Sequence, residues 1–157
     1  MLNQLISKLA HALPAKEVSA HCDGPCGVYD PASARIAAEA ALSMTKKLLA
    51  LEVPAAGDSA AWAQYNNTFS RYTTIKEEQA HLAKEELLVL WTDYFKPPHL
   101  EQYPDLHTTF WNAAKLCSSV KVEVNLDHAN ELMAAIEEIH NIFWESKNRD
   151  VTYYTAS

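Results

Sequence analysis

From Ala60 to Phe95 the chain contains neither glycine nor proline, and Pro97-Pro98 closes the run. This interval constrains the fold more than any other. It is rich in strong helix formers, as in "KEEQAHLAKEELL", and so long a stretch without a breaker reads as one helix. Asp58 or Ser59 can cap its start. The two prolines remove the donors and the backbone freedom needed to continue it. Ile75, Leu82, Val89 and Leu90 fall at helical spacing and mark its expected buried side. Asn66-Asn67 is the expected place for a bend.

Shorter helices are expected on either side. Asp30 reads as an N-cap and Pro31 as a first helical residue, with Ile36, Ala40, Met44 and Leu48 as an apolar stripe running to about Leu51. The segment "VPAAG" (Val53 to Gly57) breaks that helix. A third follows Pro104, from Asp105 through "LHTTFWNAAKLCSSV". The segment "KVEVNLD" alternates, but it is too short and isolated for a sheet. A fourth helix spans about Leu126 to Lys147, with Leu132, Met133, Ile136, Ile139 and Phe143 recurring at three and four. Four helices with short connections and one apolar face each predict an all-α fold, an antiparallel four-helix bundle. The tail "NRDVTYYTAS" lacks periodicity and is expected to be loose or to pack against another subunit.

At 157 residues the chain suits one domain. A net charge of -7 with no basic run argues against nucleic acid as a partner. No apolar run reaches bilayer length, so no membrane partner is expected. Three cysteines are too few, and odd in number, for a secreted disulfide scaffold, which points to the cytoplasm.

Two of those three cysteines and two of the three glycines gather in "HCDGPCGVYDP", from His21 to Pro31. The Cys22–Cys26 spacing is not the CxxC of a zinc ribbon, although zinc on Cys22, Cys26, His21 and a further ligand stays open. A chain beginning at His21 has a more compact option. Its terminal amine, the Cys22 amide nitrogen and the Cys22 sulfur form two fused chelate rings. The Cys26 sulfur, returned by the turn at Gly24-Pro25, completes a planar site of two nitrogens and two sulfurs. Such tetragonal geometry suits Ni(II) or Cu(II), and the His21 imidazole can reach the axial position. Thiolates and a deprotonated amide stabilise a higher oxidation state. A one-electron couple such as Ni(II)/Ni(III) then becomes accessible to a small radical.

This chemistry bears on residues 1–20. Leu2, Leu5, Ile6, Leu9 and Leu13 lie at helical spacing, while Lys8 and His11 spoil a secretory core. Val18 and Ala20 sit where a cleavage site would sit. An amphipathic N-terminal helix and a removable leader both fit the composition. The chelate favours removal, because an attached leader leaves the His21 nitrogen as an amide. The expected organisation is a cleavable leader at 1–20, cut by a processing protease, and a four-helix bundle with an N-terminal metal-binding hook at 21–157.

With these residues in place, "HCDGPCGVYDP" resembles the nickel hook of nickel-containing superoxide dismutase, whose pattern is HCxxPCxxY. "LWTDYFKPPH" (Leu90 to His99) and "IFWESK" near the end are similar to that family too, and the likeness covers nearly all of residues 21–148. The resemblance implies a four-helix bundle assembled as a homohexamer, one nickel ion per subunit, and disproportionation of superoxide to oxygen and hydrogen peroxide. It implies nickel ligands at His21, Cys22 and Cys26, a cis peptide before Pro25, and Asp23 helping to hold the hook. Tyr29 would stand beside the open face, with Tyr94 and Lys96 supporting the entrance. Two positions depart from the family pattern. Ala37 and Gln79 stand where the family carries Glu and Arg behind the axial imidazole, which leaves Gln79 as a neutral hydrogen-bonding group for His21.

Competing readings are a nickel or copper carrier using the same chelate without turnover, and a small zinc-stabilised bundle. Tyr29 and the "DYFKPP" segment exceed what binding alone requires and favour the enzyme.

Overall fold

The computed structural model describes residues 27–156. They form α1 (Ala32–Leu49), α2 (Ser59–Val89), a π-helical turn (Leu90–Tyr94), α3 (Pro97–Gln102), α4 (Leu106–Val122) and α5 (Leu126–Ser146). The long helices close a ring in which α1 packs on α2 and α5, and α4 packs on the same two. Neighbours run antiparallel. Ser33 near the start of α1 donates to Glu86 near the end of α2 at 2.7 Å, and Trp91 just beyond α2 donates to His107 at the start of α4 at 2.8 Å. One end of the bundle thus gathers the starts of α1 and α4 and the ends of α2 and α5.

The caps follow the sequence closely. Asp58 accepts from the Ala61 amide at 3.0 Å, and Asn125 accepts from the Asp127 and His128 amides. Pro31 takes the N-cap position itself, one residue later than expected, while the Asp30 carboxylate accepts from the Ala32 amide at 2.9 Å. Lys46 and Lys47 occupy the last turn of α1, where cations complement the dipole.

The buried faces of α1 and α2 differ from the expected stripes. Ile36 is 58% exposed, Ile75 36% and Leu82 39%. Besides Leu42, Leu48 and Leu87, the apolar residues that α1 and α2 bury are alanines: Ala34, Ala37, Ala38 and Ala41 on one, Ala80 and Ala83 on the other. Small side chains let two backbones approach closely, and the large core residues come from α4 and α5, notably Phe110, Leu132, Ile136, Ile139 and Phe143. Leu48 and Leu90 are buried as expected, but a stripe chosen by size otherwise passes over the alanines that line the contact. The Asn66-Asn67 pair does not interrupt α2, whose irregularity falls instead at Leu90–Tyr94, where the Phe95 amide bonds back five residues to the Leu90 carbonyl. The prolines that stop one helix also open another, α3, which the sequence does not predict.

The largest fully buried side chain on α2 belongs to a lysine. Lys76 is 1% exposed, and its ammonium donates to the carbonyls of Val120, Lys121 and Glu123 at 2.6, 2.8 and 2.9 Å. Those carbonyls lie at the C-terminal end of α4, where helices leave acceptors unsatisfied. Lys76 thus caps α4 from the neighbouring helix, at the end of the bundle opposite Tyr94.

The C-terminal segment packs on its own bundle. Asn148 takes a left-handed φ of 54°. The Asn148 and Arg149 amides bond back to the Glu145 and Trp144 carbonyls, which reverses the chain. The returning strap accepts a 2.7 Å bond from His140 Nε2 at the Val151 carbonyl and stacks Tyr154 under the Arg35 guanidinium. It ends with the Ala156 amide donating to Glu39 at 2.7 Å.

Candidate metal centre and its aromatic frame

His21, Cys22, Asp23, Pro25 and Cys26, with the expected leader, lie outside the described residues. The described chain begins directly after them, at Gly27. Gly27 follows Cys26 and adopts φ +67° in open space, so glycine is needed there for its backbone rather than for room. The chain passes through the exposed Val28 to Tyr29, half-buried against the core, and enters α1.

Tyr29 leans on Tyr94, with ring centroids 5.6 Å apart and planes tilted by 55°. Tyr94 ends the π turn, at the centre of an aromatic frame. Its ring lies 4.5 Å from Phe143, 4.8 Å from Phe95 and 5.6 Å from His99, nearly parallel to the last. Its hydroxyl is 2.7 Å from Ser146 Oγ, and Ser146 Oγ is 2.6 Å from the Phe143 carbonyl. A carbonyl only accepts, so Ser146 spends its one proton there and Tyr94 donates to Ser146. The phenol is thereby fixed in rotation. The Lys147 ammonium lies 4.7 Å from the Phe143 centroid and 5.2 Å from that of Tyr94, which keeps a cation at this end.

Lys96 is exposed beside this frame. Its backbone is extended, φ -128° and ψ 165°, as a residue before proline must be. Tyr29, Tyr94 and Lys96 therefore lie at one end of the bundle.

Among the described residues no group of three or more His, Cys, Asp or Glu side chains can hold a metal ion. Burial pushes the Cys117 thiol up to about 12, so it stays protonated, and a thiol ligates as thiolate. The described bundle thus offers no competing site, and the thiolate-rich set at 21–26 fits nickel by its donors.

A model of the family described as nickel-containing superoxide dismutase matches residues 16–147. The chain belongs to that family. "Superoxide dismutase [Ni]" of Streptomyces seoulensis is 46% identical over 85% of this chain and 93% of the relative. The protein of the same name from Streptomyces coelicolor is 43% identical over the same shares. Among solved structures, native nickel superoxide dismutase superposes with a TM-score of 0.71 at 41% identity, covering 82% of this chain and 99% of that one. A nickel-containing superoxide dismutase with ligation corresponding to the oxidised state gives the same TM-score and coverage at 43% identity.

Against the family pattern, Ala37 is packed in the apolar core with 1% exposure, and Gln79 is half-buried on α2. Residues 148–156, the strap, lie beyond the stretch that the family model matches. Three members of the frame escaped the sequence reading: His99, Ser146 and Lys147. The signal for His99 was its place three residues after Lys96, where a capping side chain belongs.

Proposed function

We propose that the nickel of this superoxide dismutase is held by the free amine and imidazole of His21, the amide nitrogen and thiolate of Cys22, and the thiolate of Cys26. The protein disproportionates superoxide, and nickel is its cofactor. When bound, the metal supplies the one-electron couple that this reaction needs: two superoxide ions and two protons become one oxygen and one hydrogen peroxide. The observation that supports the assignment is the contact of Tyr29 with Tyr94. It seats the root of "HCDGPCGVYDP" on a rigid frame at the end of the bundle.

The chain's own residues then divide the work. Tyr29 narrows the approach to the hook, and Tyr94, fixed by Ser146, backs it. Asp23 holds the hook through its carboxylate. Gln79 replaces a charged group behind the His21 imidazole with a neutral amide. Lys96 draws the anionic substrate locally, since a chain of net charge -7 repels it globally. Removal of residues 1–20 by a protease creates the amine. Assembly as a homohexamer is the reading that family likeness supports. Among the described residues no helix is long and apolar enough to cross a membrane. The cytoplasm fits a chain whose described cysteine, Cys117, is free and buried.

The decisive experiment compares protein beginning at His21 with the same protein acetylated at that amine, scoring nickel content and superoxide decay. The free amine is expected to give about one nickel per chain and rapid decay, and acetylation to abolish both. Metal retained after acetylation would establish side-chain binding of the zinc kind. Metal bound without turnover would establish a carrier.

A further inference from the structure

We propose that His99 is the positioning residue that ties Lys96 to the aromatic frame at the mouth of the nickel site. The inference rests on the reading of Lys96 and Tyr94 as the entrance. It begins with the sequence Lys96-Pro97-Pro98-His99. Prolines at the first two positions of α3 have no amide hydrogens to satisfy. The His99 amide donates to the Lys96 carbonyl at 2.8 Å. The Lys96 amide is the remaining donor, and it bonds to His99 Nδ1 at 2.9 Å. Backbone and side chain of one histidine thus close a reciprocal cap around Lys96, the arrangement in which Glu or Gln more often serves. An accepting Nδ1 places the neutral ring's proton on Nε2.

The ring is itself held. It stacks on Tyr94 at 5.6 Å with planes 13° apart, and meets Phe95 edge-on at 5.5 Å. Phe95 is 6% exposed and packs edge-to-face on Phe110 at 5.4 Å. The chain of support therefore runs from the core through Phe95 and Tyr94 to the imidazole, and from Nδ1 to the backbone of Lys96. Since Tyr29 leans on the same Tyr94 ring, His99 references the entrance cation to the root of the hook. A long, exposed lysine steers usefully only if its stem leaves the protein at a fixed point.

Two substitutions separate ring from acceptor. His99→Phe keeps an aromatic ring and removes the acceptor, while His99→Gln removes the ring and supplies the acceptor usual at this position. Hydrogen exchange of the Lys96 amide reads the positioning without reference to activity. Residue-resolved exchange by NMR separates the Lys96 amide from those of Phe95 and His99, which bond to backbone carbonyls. Exchange is expected to be about fivefold faster in His99→Phe, the size of one lost cap of about 1 kcal/mol, and near wild-type in His99→Gln. In nickel-loaded protein, kcat/KM at low ionic strength should fall about threefold in His99→Phe and converge with wild-type as salt rises. Unchanged exchange in His99→Phe, or exchange in His99→Gln as fast as in His99→Phe, overturns the proposal. If exchange responds as expected while Lys96→Glu leaves the salt dependence of wild-type intact, the steering role of the entrance fails and the positioning role stands.

Discussion

Lys76 and Lys96 stand twenty residues apart, one within α2 and the other just past its π-helical end, and the fold treats them in opposite ways. At the far end of the bundle Lys76 is sealed, and its ammonium spends all three hydrogens on α4 carbonyls. Burial pulls its pKa down from the usual lysine value, while Glu77 and Glu123 push it part of the way back. At the other end Lys96 has its backbone tied and its ammonium in solvent. A buried cation with every donor engaged serves the fold and is closed to any ligand. An exposed cation on a fixed stem contributes little to stability and remains available to an anion. Position relative to the ring of helices, not residue type, decides which role a lysine takes.

The comparison is broken most directly at Lys76. Lys76→Met keeps much of the stem's volume and strips three carbonyls of their donor, so urea unfolding should show a loss of about 2–4 kcal/mol. The rate per nickel of the folded protein should not change. A loss below about 1 kcal/mol would mean that water replaces the ammonium and that the two ends of the bundle differ less than their geometry implies.

A smaller loss is expected from the strap. Ending the chain at Arg149 removes the Val151 acceptor of His140, the Tyr154 cover on Arg35 and the amide donor to Glu39. The half-exposed setting of these contacts limits the expected cost to about 1–2 kcal/mol, read as a lower midpoint in urea. No change would show that the strap rides on the bundle without holding it.

Lys96→Glu is the complementary test, because it should leave stability nearly untouched. Its kcat/KM should drop about fivefold at low ionic strength, equivalent to about 1 kcal/mol, with the deficit shrinking as salt screens the site. A deficit independent of salt would assign Lys96 a contact role rather than a steering one.

The sequence carried some of this and hid the rest for physical reasons. The start of α2 was legible because Asp58 is a capping residue whose side chain does in the structure what its chemistry favours. The grouping of Tyr29 with Tyr94 and Lys96 was legible because the three lie in two motifs. Their meeting required only that the start of α1 face the end of α2. The buried faces of α1 and α2 were partly misread because periodicity was weighed by size, whereas a close helix pair is built on alanine. Lys76 was invisible, since a lone lysine among "IKEEQ" reads as solvated surface until the end of α4 is placed beside it. His99 was missed because histidine is an uncommon capping partner and its stacking partner lies five residues back. The hook spoke through donor chemistry alone, which is why it stood out without any help from periodicity.

The smallest effect sharpens the contrast in reactivity between the two ends. Cys117 lies on α4 one turn before Val120, whose carbonyl Lys76 caps, and burial raises its thiol from 9.0 to about 12. The folded chain holds this proton more tightly than the unfolded one. The contribution to stability is therefore complete below the unfolded value of 9.0 and is lost as pH rises toward 12. Wild-type should lose about 0.4 kcal/mol from this group by pH 9, a loss that Cys117→Ala escapes, so the gap between the two narrows as the solution becomes alkaline. In metal-free protein at pH 8 the same difference should appear as selective alkylation, with Cys22 and Cys26 modified and Cys117 spared until the chain unfolds. Modification of Cys117 at a rate matching the hook cysteines would mean that the Lys76 end opens in the folded protein. The division between a sealed structural end and an open chemical end would then be wrong.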